Sequence, residues 1–291
     1  MLILNPVSGK QQGNTVLGKV LETFSTGGFI TTVYFTEYAG HATDLAREHA
    51  KDYHTIVCIG GDGTFAETVS GLITAEADCP LGYIPLGTTN DMATTLGLPK
   101  NPLRAAKAIV LGNTRPLDIG TMGDEHFTYI SAFGAFTEVS YQTPTANKKL
   151  LGHLAYMFEG MGKLGKLSPI RVVVQLDDQP PIEDDFLFGG VVNTTSIAGV
   201  VKLDPALVDL SDGLFEVLLV KNPKNFLEGS QILGEIMTKN YNPEHITLTR
   251  ASRVRFFFTK PTAFTRDGED GGKHIEVEIG NLKQAVTVFI P

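Results

Sequence analysis

The stretch Gly60-Gly61-Asp62-Gly63-Thr64 constrains this chain more than any other. An apolar run, Thr55–Ile59, precedes it and reads as a buried strand. After it Ala66, Val69, Leu72 and Ile73 recur at the spacing of one helix face. Glycine accepts positive φ and lets another group lie against the backbone. Successive free N–H groups opening onto a helix start form an anion nest, with Thr64 as the expected N-cap. Asp62 puts a carboxylate where phosphates would sit, which makes chemical sense if a magnesium ion or a hydroxyl lies between them. A bare strand-to-helix turn is the alternative, because motifs this short recur without function.

Two further polar turns stand in the same context. Met1–Leu4 reads as a strand running into Asn5-Pro6-Val7-Ser8-Gly9-Lys10, and Leu81–Leu86 as another ending in Gly87-Thr88-Thr89-Asn90-Asp91. In open parallel α/β sheets, ligands bind beyond the carboxyl ends of the strands. All three turns fall at that edge and can line one pocket.

The pattern alternates strand and helix up to about residue 120. Strands at Phe29–Phe35, Thr55–Ile59 and Leu81–Leu86 are separated by helices near Val16–Phe24, Ala42–Ala50 and Phe65–Ala75, with another at Pro102–Leu111. Such alternation implies βαβ units and a mostly parallel sheet. Beyond it, short strand candidates take over at Arg171–Leu176, Phe186–Asn193, Leu214–Val220, His245–Leu248, Val254–Thr259, Ile275–Ile279 and Ala285–Ile290. One helix interrupts them, near Phe226–Lys239. Many of these strands alternate and turn residues separate them, which is the signature of an antiparallel sandwich. The expected architecture is α/β + β: an N-terminal nucleotide-type α/β domain over 1–120, a β-sandwich domain over 121–291, and the active site in the cleft between them.

The three turns, together with Asp212-Gly213 and Asp267-Gly268-Glu269 and in that order along the chain, resemble the diacylglycerol kinase catalytic-domain family, the bacterial soluble lipid kinases related to sphingosine and ceramide kinases. Gly-Gly-Asp-Gly-Thr alone is less specific, since NAD kinases and phosphofructokinases carry it on similar folds. The resemblance implies ATP and Mg2+ as cofactors, and a lipid hydroxyl, most simply that of diacylglycerol, as acceptor. Another lipid (a sphingoid base, monoacylglycerol or polyprenol) and a soluble acceptor such as NAD are the rival substrates; a nucleotide-binding regulator is the rival without turnover.

Phosphoryl transfer needs a phosphate cradle, charge neutralisation by metal, and a group that orients or deprotonates the acceptor. The cradle falls to Asn5, Ser8 and Gly9 of the first turn, Gly60, Gly61, Asp62, Gly63 and Thr64 of the second, and Thr88 and Asn90 of the third. The resemblance adds Thr36, which on sequence alone is a threonine ending a strand. It also makes Glu269 the proton acceptor. An ordinary acidic hairpin is the alternative for Arg266–Gly272. By the same resemblance magnesium lies at Asp209, Asp212 and the Leu214 carbonyl, and Asp118 stands near the active centre. A plain Asp-Gly turn and a plain turn aspartate are the alternatives. Residues before Asp212-Gly213 depart from the usual family pair, and Ala132–Glu138 departs from the usual glycine-rich segment, so acceptor identity transfers least. No P-loop lysine pattern, no metal-ligand spacing of histidines and no Ser-His-Asp constellation is present.

Net charge is −8, with 24 basic and 32 acidic residues, which argues against broad electrostatic binding to nucleic acid or anionic lipid. Membrane contact must then be local. Lys148–Lys166 carries apolar residues at near-helical spacing with a basic border and is the candidate lipid-access segment; a helix packed into the interior is the alternative. The two cysteines, Cys58 and Cys79, make no disulfide framework. No apolar stretch approaches the roughly 20 residues of a spanning helix. A cytoplasmic protein, transiently peripheral to the inner face of the membrane, is expected. Pairing of the β-rich domains into a homodimer is compatible with the sequence, which does not demonstrate it.

Overall fold

The computed structural model describes residues 1–11, 13–135, 169–197, 201–204, 206 and 208–291. The candidate lipid-access segment Lys148–Lys166 and the Phe136–Glu138 end of the departing segment lie outside the described residues. Two compact units emerge. One is Met1–Ile119 with Lys283–Pro291, the other Gly120–Leu282. The chain crosses from the first to the second within one strand and returns within another, so the last residues belong with the first unit and not with 121–291.

In the first unit the strands are β1 (Leu2–Leu4), β2 (Val33–Phe35), β3 (Ile56–Gly60) and β4 (Leu81–Pro85). They lie parallel in the order β2-β1-β3-β4, with Val288 of the C-terminal strand pairing Leu81 in parallel beyond β4. Strands covered on both faces are apolar throughout, and β1, β3 and β4 are buried along their whole lengths. One face receives Val20 and Phe24 of helix α1 (Gly13–Thr26), against Leu2, Leu4, Val57 and Ile59. Helices α2 (His41–His49) and α3 (Asp62–Thr74) pack together, and Gly71 is required there: a Cβ would stand 2.4 Å from the Thr43 carbonyl oxygen. Glu67 ties the pair by accepting from the Gly40 and Ala42 N–H groups. α4 (Asp91–Thr95) follows β4. α5 (Pro102–Leu111) follows in turn, capped by Asn101 and sending Ile109 into the same core as α1.

Strand β2 is shorter than the expected Phe29–Phe35. Among the described residues it pairs with β1 alone, at the edge of the sheet, and Ile30 is 99% exposed before it begins. Conversely, Arg115–Asp118 is not a turn. It lies in β5 (Thr114–Met122), buried from Leu117 to Gly120.

The second unit is antiparallel. After β6 (Glu125–Phe127) and β7 (Ile130–Gly134) come β8 (Ile170–Leu176), β9 (Ile182–Val192), the short pair β10 (Ser196–Ile197) and β11 (Val201–Lys202), and β12 (Phe215–Lys221). Helix α6 (Phe226–Thr238) then leads to β13 (Ile246–Ala251), β14 (Arg253–Arg266) and β15 (Glu269–Phe289). The long strands β9 and β14 each pair with β8 along one half and with β7 along the other, closing a circuit. Phenylalanines fill it: the Phe133 ring lies 5.0–5.5 Å from those of Phe256, Phe258 and Phe264. The expected separate strands Ile275–Ile279 and Ala285–Ile290 are one continuous strand, which carries the chain from the second unit back to the first. Within it Gln284 takes a left-handed φ of 54°.

Candidate active site

The parallel register brings Leu4, Phe35, Gly60 and Pro85 to one edge of the first unit's sheet. The three polar turns leave from that edge and are joined by side-chain bonds. Asn5 donates from Nδ2 to Thr64 Oγ1 at 3.1 Å, while its Oδ1 accepts the Val7 N–H. The Leu86 N–H donates to the Gly60 carbonyl at 2.7 Å. Asp62 accepts from the backbone N–H groups of Asp91 at 3.0 Å and Met92 at 3.2 Å. Asn90, itself left-handed at φ 53°, donates to the Gly87 carbonyl and accepts from the Tyr83 hydroxyl.

Close approach selects glycine here more than backbone sign does. Gly61 has φ −93° and ends the loop as the N-cap residue of α3, so Thr64 stands in the helix's first turn and not at its cap. A Cβ on Gly87 would lie 2.6 Å from the Gly61 Cα. Of the glycines in these three turns, Gly9 alone combines both demands, with φ 57° and a Cβ position 2.2 Å from the Leu86 carbonyl oxygen.

Asp62 has a task that its sequence context did not announce. Its carboxylate satisfies N–H groups that open α4, which lack intrahelical acceptors. Burial pushes its carboxyl above the ordinary aspartate range, and the bonds from Asp91 and Met92 pull the other way. Thr36 is half-buried just past β2, and its N–H donates to the Leu4 carbonyl, so it shares the edge with Asn5. Ser8 is half-buried, whereas Thr88 and Gly63 are exposed. Asp118 is set apart from this edge by its work. It is fully buried in β5, and its Oδ1 accepts the Gln284 N–H at 2.7 Å.

Within the second unit, Glu269 opens β15 directly after a two-residue turn. Asp267 and Gly268 have φ 48° and 82°, the double positive φ of a type I′ hairpin, for which Asp-Gly is a favoured pair. Arg266 pairs with Glu269 across it. Glu269 is exposed. Its neighbour Asp267, which sequence reasoning left without a role, turns its carboxylate inward. That group accepts from the N–H and Oγ1 of Thr128 and from the N–H groups of Tyr129 and Ile130, at 2.6–3.1 Å. Burial lifts the Asp267 carboxyl to about 6 against the pull of these donors. The turn that carries Glu269 is thereby anchored to the corner between β6 and β7. The Asp-Gly-Glu spelling held the signal, because the aspartate serves both the turn and the anchor.

The Asp209–Leu214 turn is also folded by its own carboxylates. Asp209 Oδ1 accepts from the N–H and Oγ of Ser211, Asp212 Oδ1 accepts the Leu214 N–H at 2.9 Å, and Gly213 has φ 90°. Arg250 on β13 makes an ion pair with Asp212. Two residues beyond Leu214, Glu216 is 1% exposed, and neither of its carboxylate oxygens accepts a hydrogen bond. Burial raises the Glu216 carboxyl to about 7; its own backbone N–H pulls the other way, and the negative charge of Asp209 adds a little. Among the described residues no three His, Cys, Asp or Glu side chains converge as a finished metal cage. The turn itself offers oxygen donors alone, the ligand type that a hard divalent cation takes, and its Asp212 is already held by the Leu214 N–H and by Arg250.

The diacylglycerol kinase catalytic domain model matches residues 1–122. The chain is 35% identical over 293 residues to the diacylglycerol kinase of Bacillus subtilis strain 168, covering 100% of this chain and 95% of that protein. This chain belongs to the diacylglycerol kinase family. The diacylglycerol kinase of Staphylococcus carnosus strain TM300 is 34% identical, with 100% of this chain and 94% of that one covered. Among solved structures, a diacylglycerol kinase from Bacillus anthracis strain Sterne superposes with a TM-score of 0.78 at 23% identity, over 100% of this chain and 96% of that one. An NAD kinase from Archaeoglobus fulgidus in complex with ATP does so at 0.55 and 13% identity, covering 99% and 92%. As a member of the diacylglycerol kinase family, the protein is a kinase that phosphorylates an alcohol group.

Proposed function

We propose that this kinase uses ATP and magnesium to phosphorylate the free hydroxyl of diacylglycerol, giving phosphatidic acid. The observation that carries the reading is the span of the likeness. Relatives named diacylglycerol kinase match the whole chain, so the three-turn edge and the Asp-Gly-Glu hairpin both fall inside it. The turns built on Asn5, Ser8, Gly9, Gly60–Thr64, Thr88 and Asn90 hold the triphosphate, with Thr36 beside them at the same edge. Asp62 serves by fixing the second turn to the third, which presets the backbone N–H groups that meet the phosphates.

Glu269 takes the proton of the lipid hydroxyl as that oxygen bonds to the γ-phosphorus and the bond to the bridging β–γ oxygen breaks, releasing ADP. Asp209, Asp212 and the Leu214 carbonyl hold magnesium, whose chemistry is to neutralise charge and order oxygen ligands around it. Asp118 acts at one remove, by holding the return strand at Gln284. The lipid is met at a membrane surface by peripheral contact at the inner face, a role we assign to Lys148–Lys166. Among the described residues no helix is long and apolar enough to cross a membrane.

The test is transfer of labelled γ-phosphate in mixed micelles containing diacylglycerol, monoacylglycerol, sphingosine, ceramide or polyprenol, with NAD as soluble acceptor. Label should appear on diacylglycerol. Glu269→Gln should lower kcat by about 10²–10⁴ and leave the KM for ATP unchanged. Label on NAD alone would reassign the acceptor, in line with the fold likeness to an NAD kinase. Full turnover by Glu269→Gln would remove the base.

A further inference from the structure

Glu269 lies between two departures from regular hairpin geometry. Before it stands the anchored turn at Asp267–Gly268. After it the ladder slips. Arg266 pairs with Glu269 and Thr265 with Asp270, yet Ala263 pairs with Lys273, so Phe264 stands opposite both Gly271 and Gly272. That is a β-bulge, a device that bends a strand and re-aims its side chains. Glycine suits both positions. Gly272 has φ 82°, and a Cβ on Gly271 would lie 3.1 Å from the Phe264 carbonyl oxygen.

Two side chains close the bulge. Asp270 Oδ1 accepts the Gly272 N–H at 2.9 Å. His274 reaches back to the Gly271 carbonyl oxygen, 2.7 Å from its Nε2. A carbonyl oxygen accepts and cannot donate, so Nε2 carries the hydrogen. The half-buried imidazole also meets the ring of Phe264, the residue opposite the bulge, at 6.2 Å between centroids and 78° between planes.

The place of the bulge matters because side chains alternate between the two faces of a strand. The two-residue turn sets one register, and the strands beyond set another that differs by one residue. The bulge absorbs the difference at Gly271–Gly272. Moved toward the turn, it would make Asp270 or Glu269 the extra residue and send the Glu269 carboxylate in another direction.

We propose that His274 is a positioning residue for Glu269. Its bond to the Gly271 carbonyl pins the bulge, and the pinned bulge keeps the carboxylate on one face of the hairpin. The proposal rests on the reading of Glu269 as the base. His274 touches no reacting atom; it acts through the glutamate.

Two variants of the full-length protein separate the bond from the packing. His274→Phe keeps a ring against Phe264 and loses the donor, whereas His274→Gln loses the ring and keeps an N–H of similar reach. Amide hydrogen exchange at Gly272, followed by NMR, reads the bulge whichever acceptor the enzyme uses. It should be about tenfold faster in His274→Phe, the effect of losing one hydrogen bond, and close to wild type in His274→Gln. Turnover is read as labelled phosphate on whichever acceptor of the panel above is labelled. His274→Phe should lower kcat about tenfold or more, since small misplacements of a reacting group are costly, and leave the KM for ATP unchanged. His274→Gln should recover most of that rate. The double variant Glu269→Gln/His274→Phe should be no slower than Glu269→Gln alone, because the histidine works through the glutamate.

Wild-type exchange at Gly272 or wild-type kcat in His274→Phe overturns the role of His274 and spares that of Glu269. A double variant slowed by the full factor of each single change also overturns it, and makes the histidine a structural residue alone. Full turnover by Glu269→Gln, or no acceptor labelled at all, removes the base and this proposal together.

Discussion

Single residues in this kinase often serve two masters, and Asp267 is the clearest case. Its left-handed backbone makes the hairpin, and its carboxylate accepts four hydrogen bonds from the β6–β7 corner. Its pKa of about 6, against an ordinary 3.8, has a consequence with a definite sign. Between those values the folded chain keeps a proton that the unfolded chain has released, so this group's contribution to stability falls as pH rises from about 4 to about 6. At about 1.4 kcal/mol per unit the change is roughly 3 kcal/mol. Asp267→Asn abolishes that slope and turns an amide N–H toward N–H donors. Urea unfolding across pH 4–7 should find the variant less stable throughout, with the gap to wild type narrowing as pH rises. A gap that widened would contradict the assignment. The motif drew attention to Asp62, and the family resemblance to Glu269, but neither pointed to the anchor at Asp267, because its partners Thr128–Ile130 lie far away in sequence.

Elements show the same economy. Helix α4 is five residues long and cannot stand on its own hydrogen bonds, since the first N–H groups of any helix lack internal partners. Asp62 supplies acceptors from the start of a different helix. Asp62→Ala should therefore speed amide hydrogen exchange at Asp91 and Met92 by about tenfold, the value of a lost cap of roughly 1.4 kcal/mol, and should raise the KM for ATP. Unchanged exchange at both amides would mean that α4 is held by packing alone. The sequence disclosed the parallel strands and their helices well, because apolar runs and glycine punctuation are local signals. It overextended β2, whose edge position allows solvent at Phe29 and Ile30. It also passed over β5, where Pro116 and Asp118 read as a turn although the strand is buried. A buried aspartate is paired, and its partner at Gln284 lies beyond any local window.

For the whole molecule, the decisive fact is that the first unit is assembled from both ends of the described chain. Val286, Val288 and Phe289 are buried, Val288 pairs with Leu81, and the Ile290 N–H donates to the Asn113 carbonyl. Removing Lys283–Pro291 strips apolar side chains worth about 1.5–3 kcal/mol each, enough together to match the whole margin of a small domain. Limited proteolysis of the protein truncated after Leu282 should degrade Met1–Ile119 first and spare Gly120–Leu282; equal resistance of both units to the wild-type pattern would show the return strand to be dispensable. The alternation that marked residues up to about 120 as one domain could not show this. A lone strand at the far end of the chain, Ala285–Ile290, reads from its residues alone like its antiparallel predecessors.

That returning strand also sets an order of events during synthesis. The turns at Asn5–Gly9, Gly60–Thr64 and Gly87–Asp91 leave the ribosome before Gly120–Leu282, but the unit they belong to is not complete until Lys283–Pro291 has followed. The whole of Gly120–Leu282 is translated between the phosphate cradle and the strand that completes its unit.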